Sequence, residues 1–334
     1  MKPSKQVIKG SDFITTQEWE KEKLEFLIDK AFELKNTKDP SKYSEILKNK
    51  TLIMLFFNPS TRTRTSFEVA MTQLGGHAIF MSGKDIWLGK NSESVKDTAK
   101  VFSRYADIIA IRMFPDISKG DYGTINKIMR EFAEWSEIPI INMEDDLFHP
   151  CQALTDIMTI KEKLGSLKNK KIVISWAYHP KPLPVSVPNS IVLNSTRFGL
   201  DVTLCHPKGF ELQPYILKTA EQNAKDNGGS FRIVNTMEEG YKDAEIVYVK
   251  SWGALQYYGN NKEEKQLRQP YRGKWICNEK IMKITAKSSI FMHCLPVLRN
   301  VVVDDVVIDG SHSVVYEQAE NRLHLQKALL SEIG

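Results

Sequence analysis

The sequence predicts an α/β protein with two doubly wound parallel-sheet domains joined by helices. Apolar runs typical of buried strands alternate with amphipathic segments typical of helices, as in parallel sheets whose strands are connected by helices. The length of 334 residues suits about two domains, each large enough to bury its own core. Polar motifs follow several of the strands, at the edge where open α/β sheets bind ligands.

The first half of the chain alternates helix and strand. Apolar residues recur at three-and-four spacing within 17–36, which predicts an amphipathic helix. The apolar run at 51–57 predicts a buried strand, which Asn58-Pro59 ends. The same patterns then predict helices over 65–74, 95–105 and 124–136, and strands over 77–80, 108–112 and 138–141.

The second half repeats this alternation. A helix from Cys151 to Leu164 leads into it, and the last helix, Glu317 to Glu332, is placed so that it can return to the first half. We therefore expect one domain of residues 1–150 plus 317–334 and a second domain of residues 151–316. The strands predicted in the second domain lie at 171–175, 201–205, 246–248 and 290–293.

Composition excludes several classes of protein. The 46 Lys and Arg exceed the 41 Asp and Glu by five, a surplus too small and too dispersed to predict nucleic-acid binding. We expect a cytoplasmic protein without a membrane partner, because the start has no signal pattern and no apolar run reaches the ~18 residues of a membrane span. The four cysteines include no CxxC pair, which predicts reduced thiols and no structural zinc.

A polar segment after the first predicted strand, Asn58 to Thr65, leads straight into a helix. It places hydroxyl groups, arginine side chains and unpaired backbone amides at a helix N-terminus, where negative charge is favoured. Arginine adds a planar fork that can pair two oxygens of one anion. The segment therefore predicts a phosphate site, although an ordinary helix cap with surface arginines would leave the same pattern. A P-loop is excluded, because no glycine-rich run ends in Gly-Lys-Ser/Thr.

Two more polar segments occupy similar places. His149-Pro150-Cys151-Gln152 opens the helix that leads to the second domain, and His293-Cys294-Leu295-Pro296 follows the last apolar strand. Together with Ser60-Thr61-Arg62-Thr63-Arg64, these segments resemble the three signatures of the aspartate/ornithine carbamoyltransferase superfamily, in the same order. The resemblance extends over nearly the whole chain, because 85–105 and 317–327 are also similar to the ornithine-type members.

The resemblance implies a transferase that moves the carbamoyl group of carbamoyl phosphate to an amino-acid amine, with no metal and no cofactor. It implies that residues 1–150 plus 317–334 bind carbamoyl phosphate and that residues 151–316 bind the acceptor. The implied catalytic residues are Arg112, His149, Gln152 and Cys294. The implied carbamoyl phosphate ligands are Ser60, Thr61, Arg62, Thr63, Trp87, Arg112, His149, Pro150, Cys151, Gln152, Cys294, Leu295 and Arg322.

The resemblance implies more about Trp87 and His149, while Arg322 and Cys294 also have alternative interpretations. In the superfamily, the loop that holds Trp87 reaches into a neighbouring subunit's site, so the resemblance implies a homotrimer with shared active sites. Arg322 could instead form an ion pair on a helix surface. A nucleophilic Cys294 is not expected, because neighbouring side chains on a strand, here His293 and Cys294, point to opposite faces. His149 is expected to donate a hydrogen bond to the carbonyl oxygen.

The predicted acceptor site differs from that of ornithine carbamoyltransferases. Those enzymes carry Asp-x-x-x-Ser-Met-Gly, whose aspartate holds the α-ammonium group, whereas this chain has Val247 and Lys250 in that stretch. An α-ammonium group would lose its charged partner in a desolvated pocket, and acylation of that nitrogen removes the charge. Three segments are similar to the N-acetylornithine and N-succinylornithine carbamoyltransferases: 142–144, 176–184 and 250–255.

That similarity implies an N-acyl citrulline and phosphate as products, in arginine biosynthesis. It also implies a knotted crossing at the proline-rich residues 180–188, which could instead be a simple rigid loop.

Leu298 and Val302 stand where these relatives have an arginine and a lysine, and 84–97 is a short, ornithine-like loop. Free ornithine, another amine, and non-catalytic anion binding therefore remain alternatives. The implied acceptor ligands are Phe114, Glu144, Lys250, Trp252, Leu295 and Arg299.

Overall fold

The computed structural model describes residues 8–88, 93–114 and 122–334. These residues divide into two compact units. The first contains 8–88, 93–114, 123–155 and 320–334, and the second contains Tyr122 and 156–319. Each unit is built on one parallel sheet with helices. The predicted fold class is therefore confirmed.

The strands of the first unit are β1 (Thr51–Phe56), β2 (His77–Ser82), β3 (Ile108–Arg112) and β4 (Ile140–Glu144). They form one parallel sheet in the order β2-β1-β3-β4. The helices of this unit are α1 (Lys21–Asn36), α2 (Arg62–Gln73), α3 (Val95–Tyr105) and α4 (Thr124–Trp135). Because the strand order changes direction between β1 and β3, the carboxyl ends of these two strands form the crevice in which such sheets bind ligands.

The core of the first unit lies on the inner strands of this sheet. Ile53 and Leu55 of β1 and Ile109 and Ile111 of β3 are buried in one cluster with Phe132 of α4. Strands buried on both faces carry continuous apolar runs, which explains the pattern of the sequence. Each fully buried aliphatic side chain contributes roughly 2 kcal/mol of transfer free energy. This burial holds the carboxyl ends of β1 and β3 side by side.

The second unit begins within a helix, α5 (Pro150–Leu164). Its strands are β5 (Lys171–Trp176), β6 (Asp201–Cys205), β7 (Ser230–Val234), β8 (Ile246–Lys250) and β9 (Ile290–Met292). They form a parallel sheet in the order β7-β6-β5-β8-β9, which changes direction between β5 and β8. The helices are α6 (Ser186–Arg197), α7 (Pro214–Asn227), α8 (Met237–Tyr241), α9 (Asn261–Arg268), α10 (Glu279–Met282) and α11 (Asp305–Ile308). The last helix, α12 (Val315–Ile333), starts in the second unit and ends in the first.

Several element ends differ from the predicted ones. α2 begins at Arg62, three residues before the predicted start, so Arg62 and Thr63 lie in its first turn and not in a loop. β4 extends to Glu144, three residues beyond its predicted end. β9 ends at Met292, so the expectation that His293 belongs to this strand is wrong.

Some elements were not predicted at all, notably α6, α7 and β7. α6 is buried from Ser186 to Thr196 and carries serine, asparagine and threonine, so it shows no apolar stripe. Residues 177–185 form neither helix nor strand, and Pro188 lies in the first turn of α6, where its missing N–H breaks no hydrogen bond. The knotted crossing stays a prediction. None of the described helices combines the length and the apolar character that a membrane crossing requires.

Candidate active site

The crevice of the first sheet lies beside the N-terminus of α2. Phe57 N donates to Arg112 O at 3.0 Å, and Phe114 N donates to Asn58 Oδ1 at 2.9 Å, so the segments that follow β1 and β3 are joined. Thr61 precedes α2, and its side chain makes no capping hydrogen bond. The N-terminus of a helix favours an anion, because its first-turn amides point outward and its dipole is positive there.

The predicted phosphate segment is exposed to different degrees, with Thr63 buried, Ser60 and Arg62 half-buried and Thr61 exposed. Arg64 lies apart from these residues. Its guanidinium stacks on the Phe80 ring at 3.7 Å, and its Nε donates to Glu68 Oε1 at 2.9 Å. These contacts hold the Arg64 guanidinium at the surface of α2.

Arg322 of α12 contacts two residues that are far from it in sequence. Its Nη1 donates to Gln152 Oε1 of α5 at 2.5 Å, and its Nη2 donates to Thr63 Oγ1 of α2 at 3.2 Å. Arg322 is only 3% exposed, which excludes the alternative of an ion pair on a helix surface. The two bonds bring together three predicted carbamoyl phosphate ligands from three helices.

A second cluster lies at the carboxyl ends of β3 and β4. Arg112 Nη1 forms an ion pair with Glu144 Oε2, and His149 Nε2 lies 3.7 Å from the same oxygen. The side chains of Arg112, Glu144 and His149 are 13, 9 and 5% exposed. The Arg112 guanidinium also lies over the Phe114 ring, 5.2 Å from its centroid. Among the residues that the structure describes, Arg112 Nε has no acceptor. The cluster therefore presents nearly buried donors that Glu144 orients.

A buried carboxylate, Asp145, shapes the turn that carries His149. Burial raises the pKa of Asp145 to about 7, although hydrogen bonds from its neighbours oppose this shift. The donors to its carboxylate are Asn126 Nδ2 at 2.7 Å, Asn142 Nδ2 at 2.9 Å, Leu147 N at 2.8 Å and Phe148 N at 2.5 Å. Asp145 was not predicted from the sequence, because the predicted strand ended at Ile141 and Asp145 lies just beyond the observed end of β4. An acidic pair just before H-P-C-Q was the available signal.

The residues of the H-P-C-Q segment occupy different positions at the start of α5. Ala153 N donates to His149 O at 3.1 Å, so His149 immediately precedes the first turn, and Pro150 occupies its first position. Cys151 is fully buried, with Sγ 3.9 Å from Asn142 O, and burial raises the pKa of its thiol to about 12. The Cys151 thiol is thus an uncharged group packed in the interior. Cys151 was predicted to bind carbamoyl phosphate, but none of its atoms is exposed for such a contact.

The two predicted acceptor residues Lys250 and Trp252, at and just after the end of β8, differ in their access to solvent. Lys250 ends β8 and is half-buried, and its carbonyl oxygen accepts from Ala177 N at 3.1 Å. Trp252 is fully buried instead. Its Nε1 donates to Phe210 O at 2.8 Å, and its carbonyl oxygen accepts from Trp176 Nε1 at 3.0 Å. The prediction that Trp252 contacts the acceptor is therefore corrected, because its indole ring presents no surface to a ligand.

The H-C-L-P segment follows β9, the neighbour of β8 in the second sheet. His293 N donates to Gln318 Oε1 at 3.0 Å, and Gln318 Nε2 donates to Asp156 Oδ1 at 2.7 Å. Leu295 has a φ of 49°, which a branched side chain adopts only where its surroundings hold it. Leu295 N donates to His293 Nδ1 at 2.9 Å. This bond occupies the imidazole acceptor, so the geometry does not favour a thiol–imidazole pair with half-buried Cys294.

Arg299, predicted to bind the acceptor, is exposed and already paired. Its Nη1 contacts Asp305 at 2.7 Å and Asp309 at 2.6 Å, and its Nη2 contacts Asp309 at 2.8 Å. Binding of an acceptor carboxylate would have to displace one of these partners. Val302 is buried in the second unit, whereas Leu298 is exposed. The lysine expected at 302 is thus replaced by a core residue.

Trp87 lies on the surface of the first unit and is 69% exposed. Thr63, Gln152 and Arg322 thus form one cluster, Arg112 and His149 meet at Glu144 in another, and Trp87 is exposed on the surface. Over residues 8–88, 93–114 and 122–334, no group of three or more His, Cys, Asp or Glu could hold a metal ion.

Two family models match most of the chain. Residues 11–162 match the carbamoyl-P binding domain of aspartate/ornithine carbamoyltransferase, and residues 184–333 match its Asp/Orn binding domain. N-acetylornithine carbamoyltransferase of Xanthomonas campestris pv. campestris is 39% identical over 335 residues, which cover 96% of this chain and 97% of that protein. Ornithine carbamoyltransferase of Pyrococcus abyssi is 37% identical over 324 residues, which cover 97% of this chain and 96% of that protein.

Solved structures are similar over the same length. Acetylornithine transcarbamylase complexed with acetylcitrulline has a TM-score of 0.91 and 38% identity, covering 97% of this chain and 99% of that chain. A structure of N-acetyl-L-ornithine transcarbamylase has a TM-score of 0.90 and 37% identity, covering 97% and 100%. The resemblance read from three short segments is confirmed along nearly the entire sequence, and the chain belongs to the aspartate/ornithine carbamoyltransferase family.

Proposed function

We propose that the protein transfers the carbamoyl group of carbamoyl phosphate to the δ-amine of an N-acylated ornithine. The products are an N-acyl citrulline and phosphate, in a step of arginine biosynthesis. The observation that carries the proposal is on β8, where fully buried Val247 and half-buried Lys250 occupy the stretch that holds an aspartate in ornithine enzymes. The similarity to the N-acetylornithine enzyme of Xanthomonas campestris supports the same acceptor class.

Carbamoyl phosphate is a doubly charged mixed anhydride, so its site must hold a phosphate and polarise a carbonyl group. The N-terminus of α2 suits the phosphate, since its amides and dipole favour negative charge. The side chains of Ser60, Thr61, Arg62 and Thr63 would add donors there. Arg322 places a buried guanidinium beside Thr63, and Gln152 orients it. A charge-assisted pair of this kind binds phosphate more strongly than neutral donors do.

The carbonyl group of the substrate would lie against Arg112 and His149. When the neutral amine attacks the carbamoyl carbon, a C–N bond forms and negative charge develops on the carbonyl oxygen. The C–O bond to phosphate then breaks, and the proton that the amine loses passes to the departing phosphate. Each donor aimed at such an oxyanion contributes ~3 kcal/mol to its stabilisation. Glu144 contacts both Arg112 and His149, so we assign it an orienting role in place of the acceptor contact that the resemblance implied.

The acceptor would meet the carboxyl ends of β8 and β9, which are neighbours in the second sheet. Lys250 would pair with its carboxylate, and an acylated α-nitrogen would carry no charge for Lys250 to repel. The turn at Cys294 and Leu295 would hold the amine and the carbamoyl group through main-chain oxygens and the thiol. Phe114 would pack on the acceptor's aliphatic chain.

We further propose a homotrimer in which each active site receives Trp87 from a neighbouring subunit. The Trp87 indole supports this, because it is 69% exposed on its own chain and so is accessible to a neighbouring subunit. In a cyclic trimer the same head-to-tail contact is repeated three times, so each subunit can contribute Trp87 to the active site of the next.

Phosphate release from carbamoyl phosphate tests the proposed function with ornithine, N-acetylornithine, N-succinylornithine, putrescine and lysine as acceptors. Turnover with one acylated ornithine alone is the expected result. Ornithine carbamoyltransferase activity is the second candidate, favoured by the 37% identity to the Pyrococcus abyssi enzyme, and turnover with ornithine alone would establish it. Binding of carbamoyl phosphate without turnover on any acceptor would instead indicate a non-catalytic relative or an amine of another class.

A further inference from the structure

Helix α9 carries a buried ion pair that the proposed reaction does not use. Arg268 is 1% exposed, and Glu264, one helical turn earlier, is 2% exposed. Arg268 Nε donates to both carboxylate oxygens of Glu264, at 3.0 and 2.9 Å, and Nη2 donates to Oε1. Glu264 Oε1 also accepts from Ala254 N at 3.3 Å. In the sequence this pair looks like an ordinary exposed i, i+4 pair.

The other donors of Arg268 go to two loops of the second unit. Nη1 donates to His179 O at 3.2 Å and to Ser251 Oγ at 3.3 Å, and Nη2 donates to Trp252 O at 3.0 Å. With the bonds to Glu264, these contacts use all the N–H groups of a guanidinium. Arg268 therefore links α9 to both loops through directed hydrogen bonds.

These two loops follow β5 and β8, the strands on either side of the crevice in the second sheet. The β8 loop starts directly after Lys250, the proposed partner of the acceptor carboxylate. The loops also contact each other, since Gly253 N donates to Leu183 O at 2.9 Å. They pack so closely that a Cβ on Gly253 would stand 3.0 Å from the Cβ of Pro182. A shift of either loop would therefore move the other.

Folding stability alone does not account for a charged pair in this place. Replacing a buried ion pair by apolar side chains of similar volume is often neutral or stabilising. An apolar pair cannot, however, donate hydrogen bonds to the carbonyl oxygens of His179 and Trp252 and so fix the positions of the two loops. The Arg268 guanidinium is also confined by aromatic rings, with the centroids of Trp176 and Phe210 at 5.4 and 5.3 Å.

We propose that Arg268 and Glu264 are positioning residues for the acceptor: they hold the loops after β5 and β8 so that Lys250 meets the acceptor's carboxylate. The inference rests on the proposed function, because it takes Lys250 as an acceptor ligand. Neither residue touches the reacting atoms. Their loss is expected to weaken acceptor binding while leaving carbamoyl phosphate, most of whose proposed ligands lie in the first unit, nearly unaffected.

The test compares three variants with the wild type. Glu264→Leu combined with Arg268→Met removes both charges at similar volume, so neither charge is left buried alone. Arg268→Lys keeps the charge but loses the fork that reaches the two loops. Arg272→Met removes an exposed arginine just beyond the same helix and is the matched control. Rates of phosphate release at varied acceptor and varied carbamoyl phosphate give both KM values, and thermal unfolding reports folding.

We expect the acceptor KM to rise about tenfold or more in the double variant and several-fold in Arg268→Lys. The KM for carbamoyl phosphate, and both KM values of Arg272→Met, are expected to change less than about twofold. An unchanged acceptor KM in the folded double variant overturns the inference. If the double variant does not fold, an unchanged acceptor KM in Arg268→Lys overturns it. A wild type that turns over no acylated ornithine contradicts the proposed function instead, and the KM comparison is then made with the acceptor that it uses.

Discussion

Arg322 and Gln152 are joined by a hydrogen bond of 2.5 Å although 170 positions separate them in the chain. The same guanidinium reaches Thr63 at 3.2 Å. Three helices, α2, α5 and α12, therefore share one buried cation in the first unit. A change to this cation is expected to disturb the proposed phosphate ligands together.

Arg322→Gln removes the cation but keeps a polar group. We expect the KM for carbamoyl phosphate to rise about 10- to 100-fold, which corresponds to losing roughly 1.4 to 2.8 kcal/mol of a charge-assisted contact. The acceptor KM is expected to change little. Steady-state rates at varied carbamoyl phosphate measure the effect, and Glu320→Gln, on the exposed side of α12, is the control. Equal weakening for both substrates would contradict the assignment.

Lys250→Ala is expected to act on the acceptor. Because Lys250 would contact the acceptor's carboxylate before and during the reaction, its loss removes uniform binding, which raises KM more than it lowers kcat. Lys250→Arg keeps the charge and is expected to show a smaller effect. Initial rates at varied N-acylated ornithine give both parameters. An equal fall in kcat and kcat/KM, with KM unchanged, would speak against a binding role.

Mixed trimers test whether active sites are shared. His149→Ala chains are expected to be nearly inactive, since loss of one oxyanion donor lowers turnover by ~10²-fold or more. Trp87→Ala chains are expected to be impaired as well, because they lack a proposed carbamoyl phosphate ligand. Random mixing at equal amounts restores both residues in about a quarter of the sites if they come from different subunits of a cyclic trimer. Mixing Arg112→Ala with His149→Ala chains should restore none, because both residues belong to one chain's site. No recovery in the first mixture would contradict the shared site.

Asp145 is expected to make folding stability depend on pH. Burial raises its pKa to about 7 in the folded protein, whereas an unfolded aspartate titrates near 4. The unfolded chain therefore loses this proton first, so the stabilisation is complete below about pH 4 and is lost as the pH rises to about 7. Asp145→Asn should remove this contribution. The slope of the unfolding free energy against pH should then differ between wild type and variant by at most about 1.4 kcal/mol per pH unit. Urea unfolding of both proteins across this pH interval measures the effect. If their unfolding free energies differ by the same amount at every pH, the prediction is wrong.

The sequence predicts the parts of the site whose residue types carry their own chemistry. Ser60 to Thr63 were predicted as part of a phosphate site from hydroxyl and guanidinium groups at a helix N-terminus, and the structure places them after β1, at the carboxyl edge of the first sheet. His149 to Gln152 were noticed at the start of a helix, but their roles were implied by the resemblance. Arg322 was assigned through resemblance alone, since its α12 neighbours give no sign that the side chain is buried.

Other features depend on tertiary packing that no local pattern encodes. Arg268 and Glu264 lie in a strongly polar helix, which by composition is typical of a solvated surface. Trp252 could equally have been a ligand or a core residue, and only its bonds to Phe210 and Trp176 decide between them. The pairing of Arg299 with Asp305 and Asp309 also arises from the fold of that loop and not from helical spacing.

The return of α12 to the first unit has a consequence for protein synthesis. A ribosome that has completed Gln152 still has 170 residues to translate, up to and including Arg322, which takes roughly 10 to 30 s at common elongation rates. A nascent chain can form the first sheet during that interval, but it lacks the guanidinium that completes the proposed anion site. Carbamoyl phosphate would therefore stabilise only chains that have been translated past Arg322, well into helix α12.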